Sequence, residues 1–209
     1  MIEAMIRLKQ RLAWSVAVAI AVAGCSAGGT DDAAERPGAT FFGPDVGGAA
    51  SGLASGDFNS DGHTDLVLSS PLASGPPEDR GRTGEVHVFL GPIDSGDQRD
   101  AAEPVSGLAM YGAYPDDAFG RRLAAADFNG DGASDLAISA TSAGEDSGAV
   151  YVVFGGAGFA ESGFDFATDA PDVLIEGADA GDFAGHSLAT GDFDGDARAD
   201  LLIGALMAD

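Results

Sequence analysis

The sequence predicts an all-β fold, a β-propeller of four-stranded blades, and three observations carry that expectation. An Asp-rich segment recurs at intervals of 70 and 65 residues, beginning at Asp57, Asp127 and Asp192. A short apolar run follows each copy (Leu66-Val67-Leu68, Leu136-Ala137-Ile138, Leu201-Leu202-Ile203), as in a strand buried on both faces. Further along, Val86, Val88 and Leu90 alternate with His87 and Phe89, as Val150, Val152 and Phe154 do with Tyr151 and Val153, which is the two-residue period of a strand. Repeats of this length are supersecondary units that cannot bury their apolar faces alone.

Charge narrows the function classes. The 209 residues hold 34 Asp and Glu against 10 Lys and Arg, a formal −24. Beyond residue 24 the balance is 7 basic against 33 acidic, formally −26. Such a surface excludes nucleic acid as a partner, because that binding depends on neutralising phosphates. It implies either a solvated acidic surface or carboxylates gathered to hold cations.

At the amino terminus, Arg7, Lys9 and Arg11 precede the apolar run Leu12 to Ala23, interrupted by Ser15 and ending in Val22-Ala23-Gly24-Cys25. As a helix this run spans about 18 Å, against roughly 30 Å of hydrocarbon, so residues 1–24 read as a signal peptide rather than an anchor. The ending resembles the lipobox of bacterial lipoproteins, which implies lipidation of Cys25. The rival reading is ordinary cleavage that leaves a free thiol. Cys25 is the sole cysteine, so no intrachain disulfide forms. The small, polar residues 25–40 read as a flexible tether. The expected location is the bacterial envelope, exported and lipid-anchored at the outer membrane or cell surface through Cys25.

The units come next, at about 41–113, 114–178 and 179–209. Each opens with an inner strand at Leu53-Ala54, Leu123-Ala124 or Leu188-Ala189. The Asp-rich loop follows, then the apolar run. A third strand lies in Gly84 to Gly91 or Gly148 to Gly155, and a fourth in Leu108 to Gly112 or Val173 to Gly177. Four strands per unit, joined by Gly-, Asp- and Ser-rich turns, point to propeller blades.

The loops run Asp57-Phe58-Asn59-Ser60-Asp61-Gly62-His63-Thr64-Asp65, Asp127-Phe128-Asn129-Gly130-Asp131-Gly132-Ala133-Ser134-Asp135 and Asp192-Phe193-Asp194-Gly195-Asp196-Ala197-Arg198-Ala199-Asp200. Side-chain oxygens at positions one, three, five and nine, with a residue able to turn sharply at position six, suit a hard cation such as Ca²⁺, and position seven can add a backbone carbonyl. Without a cation, each like-charge contact at about 4 Å costs roughly 1–4 kcal/mol, depending on the local dielectric. An EF-hand needs a Glu at position twelve and flanking helices, whereas position twelve here is Leu68, Ile138 and Ile203. The competing reading is a set of acidic turns that use Asp and Asn for local backbone hydrogen bonds.

Phe119-Gly120, Arg121-Arg122-Leu123-Ala124, the loop from Asp127 to Asp135 and the strand at Leu136 resemble FG-GAP repeats, the blades of the integrin α-subunit propeller and of many bacterial surface proteins. The resemblance covers about Phe41 to Asp209. It implies up to three Ca²⁺ ions, held by Asp57, Asn59, Asp61 and Asp65, by Asp127, Asn129, Asp131 and Asp135, and by Asp192, Asp194, Asp196 and Asp200, with the carbonyls of His63, Ala133 and Arg198. It also implies seven blades, of which about two and a half are present, so a fragment or an assembly with missing blades or other copies is expected. Departures are Ala49-Ala50 and Ala184-Gly185 in place of Phe-Gly, and Ala197 in place of Gly, so the third loop is expected to be the least regular.

No catalytic constellation stands out: His63, His87 and His186 read as structural, and the Ser residues lack a nucleophile-elbow pattern. The expected function is a non-enzymatic, calcium-binding adhesion module that binds an extracellular protein or glycan through segments 71–83, 92–107, 142–147 and 156–172. The alternative is an accessory or catalytic propeller of a larger secreted hydrolase or lyase. A third reading is a purely structural calcium-holding surface layer.

Overall fold

The computed structural model describes residues 17–18, 39–42, 51–75, 80–94, 97–100, 108–159 and 163–209. Most of the expected signal peptide, Cys25 and the tether up to residue 38 lie outside them. Strands β1 (Ala17–Val18) and β2 (Thr40–Phe42) pair antiparallel. Among the described residues no helix is long and apolar enough to cross a membrane.

The first unit forms the antiparallel series β3 (Gly52–Gly56), β4 (Asp65–Ser70), β5 (Glu85–Phe89) and, after β6 (Gln98–Asp100), β7 (Leu108–Tyr111). The second repeats it as β8 (Phe119–Ala126), β9 (Asp135–Ala140), β10 (Ala149–Val153) and, after β11 (Phe164–Asp165), β12 (Val173–Glu176). The third contributes the hairpin β13 (Ala184–Gly191) and β14 (Asp200–Ala205). Among the described residues, the four antiparallel strands expected of a blade thus occur twice, followed by the inner hairpin of a third unit.

The two-residue period does not make one face polar. All five residues of β5 are buried, as are all of β10, because each blade is covered on both sides. Val67, Val86, Val88 and Met110 of the first blade pack with Phe119, Leu136, Ile138 and Tyr151 of the second. On the first blade's other face, Phe41 meets Phe89 edge-on at 4.9 Å between ring centroids. On the second blade's other face, Ala137, Val150 and Val152 receive Leu188, Leu201 and Ile203.

Phe119-Gly120 lies in an irregular stretch of β8, where the register shifts between Phe119 and Leu123. Phe119 is fully buried, and its ring meets Tyr151 edge-on at 5.4 Å. Gly120 has φ 85°, and a Cβ there would lie 2.9 Å from that of Ser69. Side chains rarely adopt such a backbone, so both the dihedral and the close approach demand glycine. Ala184-Gly185 repeats this geometry: Gly185 has φ 83° and a Cβ would lie 2.7 Å from that of Ser139. The glycine half of the motif thus holds in the third unit although Phe is replaced.

Part of segment 156–172 is core rather than a free binding loop. Strand β11 pairs parallel with β7 of the preceding blade. Phe159 and Phe166 are buried between the blades, and Phe159 stacks on Phe58 at 5.5 Å. Strand β6 pairs with β2 in the same parallel manner.

Asp117, just before β8, is buried, and its backbone carbonyl accepts the Ser142 N–H at 3.0 Å. Burial pushes its carboxyl up to about 6, with the neighbouring Asp116 adding to the rise. A carboxyl raised by folding favours the native state below its unfolded value near 4 and loses that contribution as pH climbs through 6. Asp117→Asn should therefore be more stable than the parent above pH 6, with the gain shrinking towards pH 4, as read from urea midpoints across that range.

Candidate cation-binding loops

Each Asp-rich loop joins an inner strand to the next strand of its blade, and the same hydrogen-bond frame builds all of them. At position one, the Asp57 carboxylate accepts the N–H groups of Asp61 at 3.1 Å and Gly62 at 2.9 Å. Asp127 accepts from Gly130, Asp131 and Gly132, and Asp192 from Gly195, Asp196 and Ala197. Position five accepts the N–H of position seven at 2.8 Å in every copy: Asp61 from His63, Asp131 from Ala133, Asp196 from Arg198. These contacts curl the chain and gather oxygens on its concave side.

The curl needs left-handed backbone at positions four and six. Ser60, Gly130 and Gly195 supply the first with φ of 59°, 80° and 84°, and Gly62 and Gly132 the second with 84° and 92°. Ala197 takes position six at φ 70°, which costs an L-residue roughly 1–2 kcal/mol. The third loop nonetheless keeps the backbone frame of positions one and five despite this strained alanine.

Position three separates the copies electrostatically. Asn59 and Asn129 each accept the position-five N–H and donate from Nδ2 to the position-five carboxylate at 2.9 Å. The Asn59 bond is the leading cause that holds the exposed Asp61 carboxyl below its usual range, followed by the His63 amide. In the third loop Asp194 has no donor to offer. Asp192, Asp194 and Asp200 place ligand oxygens all within 4.8 Å of one another.

Position nine does more than the sequence suggests. Asp65 and Asp135 have no exposed surface. One oxygen of Asp135 accepts the N–H groups of Phe128 at 2.8 Å and Asn129 at 3.2 Å, and the other accepts Gly155 N–H at 2.9 Å, beyond the end of the third strand. Asp65 repeats this with Phe58 at 2.9 Å and Gly91 at 2.8 Å. Burial raises both carboxyls, opposed by those amides. The residue is a staple between loop and blade first, and its remaining lone pairs are what a cation can use.

Among the described residues, the structure brings carboxylate oxygens of positions one, three and nine together in the third loop, while the first two loops share its hydrogen-bond frame. Gly91 and Gly155, which close the repeated third-strand motif, join the site through their backbone N–H groups. The donors are all oxygens (carboxylate, amide and backbone carbonyl), a set that fits Ca²⁺ or Mg²⁺ and not a thiophilic metal. Elsewhere, His87 is buried and bonds Glu85 at 2.9 Å, while Arg80 and Arg82 pair with Asp165 and Asp116.

Comparison with known proteins locates the same three repeats. The FG-GAP repeat family matches residues 49–89, 119–153 and 184–209. The chain is 35% identical over 166 residues to phosphatidylinositol-glycan-specific phospholipase D of Rattus norvegicus, covering 75% of this chain and 18% of that protein. The Homo sapiens counterpart is 34% identical over the same length. Integrin alpha-7 of Rattus norvegicus is 35% identical over 157 residues, covering 74% of this chain and 12% of that protein. The chain therefore spans less than a fifth of the length of the relatives it matches.

Asp135→Ala should lower stability by about 2–4 kcal/mol even in chelator, because three backbone amides lose their acceptor, whereas the exposed Asp131→Ala should cost much less under the same conditions. Urea denaturation in EDTA reads the difference.

Proposed function

This chain carries FG-GAP repeats in three places, and from that premise we propose that it is a non-enzymatic, calcium-binding propeller module of the bacterial envelope that binds protein or glycan. The observation that supports calcium most is the third loop, where three carboxylates converge with no amide donor from position three between them. Asp57, Asn59, Asp61 and Asp65, their counterparts in the other loops, and the carbonyls of His63, Ala133 and Arg198 would hold the ions. Bound calcium would supply positive charge that removes the repulsion and locks the curl.

The adhesive role is supported by likeness to an integrin α-chain over this region and by the acidic surface, to which a basic or cation-bridged partner is complementary. Anchorage through Cys25 is supported by the lipobox-like ending and the lone cysteine. Association with further blades, whether from other copies or from a longer protein, is supported by exposed apolar residues on the last units, including Leu174, Phe193 and Leu202.

A second reading has its own support. The matched phospholipases carry their similarity to this chain over 18% of their length, which suits an accessory propeller of a larger secreted hydrolase. Under either reading, the loops would hold cations.

Calorimetric titration with Ca²⁺ should show up to three ions bound, and Asp131→Ala should bind one fewer. An unchanged stoichiometry in that variant would defeat the assignment.

A further inference from the structure

A repeated contact ties each acidic loop to the next. Ser134, at position eight of the second loop, donates its backbone N–H to the carbonyl of Asp57, position one of the first, at 2.9 Å. Its Oγ accepts the Asp57 N–H at 3.2 Å. Ala199, at position eight of the third loop, donates in the same way to the carbonyl of Asp127 at 3.0 Å. Both ends of this bond belong to ligand-bearing backbone. Position eight lies between the carbonyl of position seven and the carboxylate of position nine, which is buried in the second loop, and position one carries the carboxylate about which the loop curls.

Each junction also has a second contact. Between the first and second loops, Asp135 accepts the Gly155 N–H at 2.9 Å, and the adjoining Gly156 donates to the Phe58 carbonyl at 2.8 Å. The path is closely packed: a Cβ on Gly155 would lie 2.2 Å from the Ser134 carbonyl oxygen and 2.9 Å from that of Phe58. Between the second and third loops, the Arg198 side chain lies over Gly130, where a Cβ would be 3.1 Å from Nε.

From these joints we propose that the cation sites are energetically coupled, so that an ion in one loop raises the affinity of its neighbour. The inference rests on the calcium reading above. An ion fixes the backbone of its own loop, and the shared hydrogen bonds then hold one peptide of the adjoining loop in its binding conformation, so less ordering remains to be done when the next ion arrives. The middle loop donates to the first and accepts from the third, so both outer sites respond to its state. Coupling is reciprocal, so filling either outer loop also favours the middle one.

The test is a set of calcium isotherms on the full chain, combined with hydrogen exchange at the loop amides. Asp131→Ala empties the middle loop, and the two remaining sites should weaken by roughly five- to tenfold while exchange in the first and third loops quickens. Ser134→Ala keeps every ligand and removes the acceptor for the Asp57 N–H, so all sites should still fill but along a shallower isotherm. If Asp131→Ala binds its two remaining ions at the parent's affinities, with unchanged exchange in the outer loops, the coupling is overturned and the calcium reading stands. If the parent chain takes up no calcium, both are overturned.

Discussion

A carboxylate without exposed surface holds this architecture together. Asp135, like Asp65 before it, sits where an acid-rich loop, a central strand and the end of the next strand meet, and its two oxygens hold backbone amides from either side. Burying that charge is costly, which is why its proton is held more tightly than usual. The cost is met because the alternative leaves several amides orphaned in the same place. Through this joint, the curl of an exposed loop becomes part of the blade's frame.

Stacking follows from the same economy of surface. A four-stranded sheet here has two apolar faces, so a blade is stable only between neighbours. The first blade has Phe41 on one side and the second blade on the other, and β11 reaches back to close its outer edge. The outer strand of the second blade shows the contrast: Val173 and Ile175 are exposed, where their counterparts Leu108 and Met110 are buried. The difference lies in what packs against them and not in their hydrophobicity.

The strands and loops were legible because their signals are local and repeated. Period-two alternation, an apolar run behind each acidic loop and glycine at the turning positions are each imposed by backbone geometry within a few residues. Three features were not legible. Segment 156–172 has no period, so its parallel pairing with β7 and the burial of Phe159 and Phe166 arise only once the blades are stacked. The change from Asn59 to Asp194 at position three is legible as an added carboxylate, but the bond it removes, from the Asn59 Nδ2 to the Asp61 carboxylate, emerges only in the structure. Asp135 reads as one ligand among four, and its structural duty comes from Gly155, 20 residues downstream.

The claim on which the functional reading depends is that the acidic loops enclose divalent ions. Anomalous diffraction from crystals grown in calcium addresses it directly. A peak is expected inside each loop, ringed by the oxygens of positions one, three, five and nine and the carbonyl of position seven. Loops that keep their curl in millimolar calcium, yet show no density above that of ordered water, would contradict it.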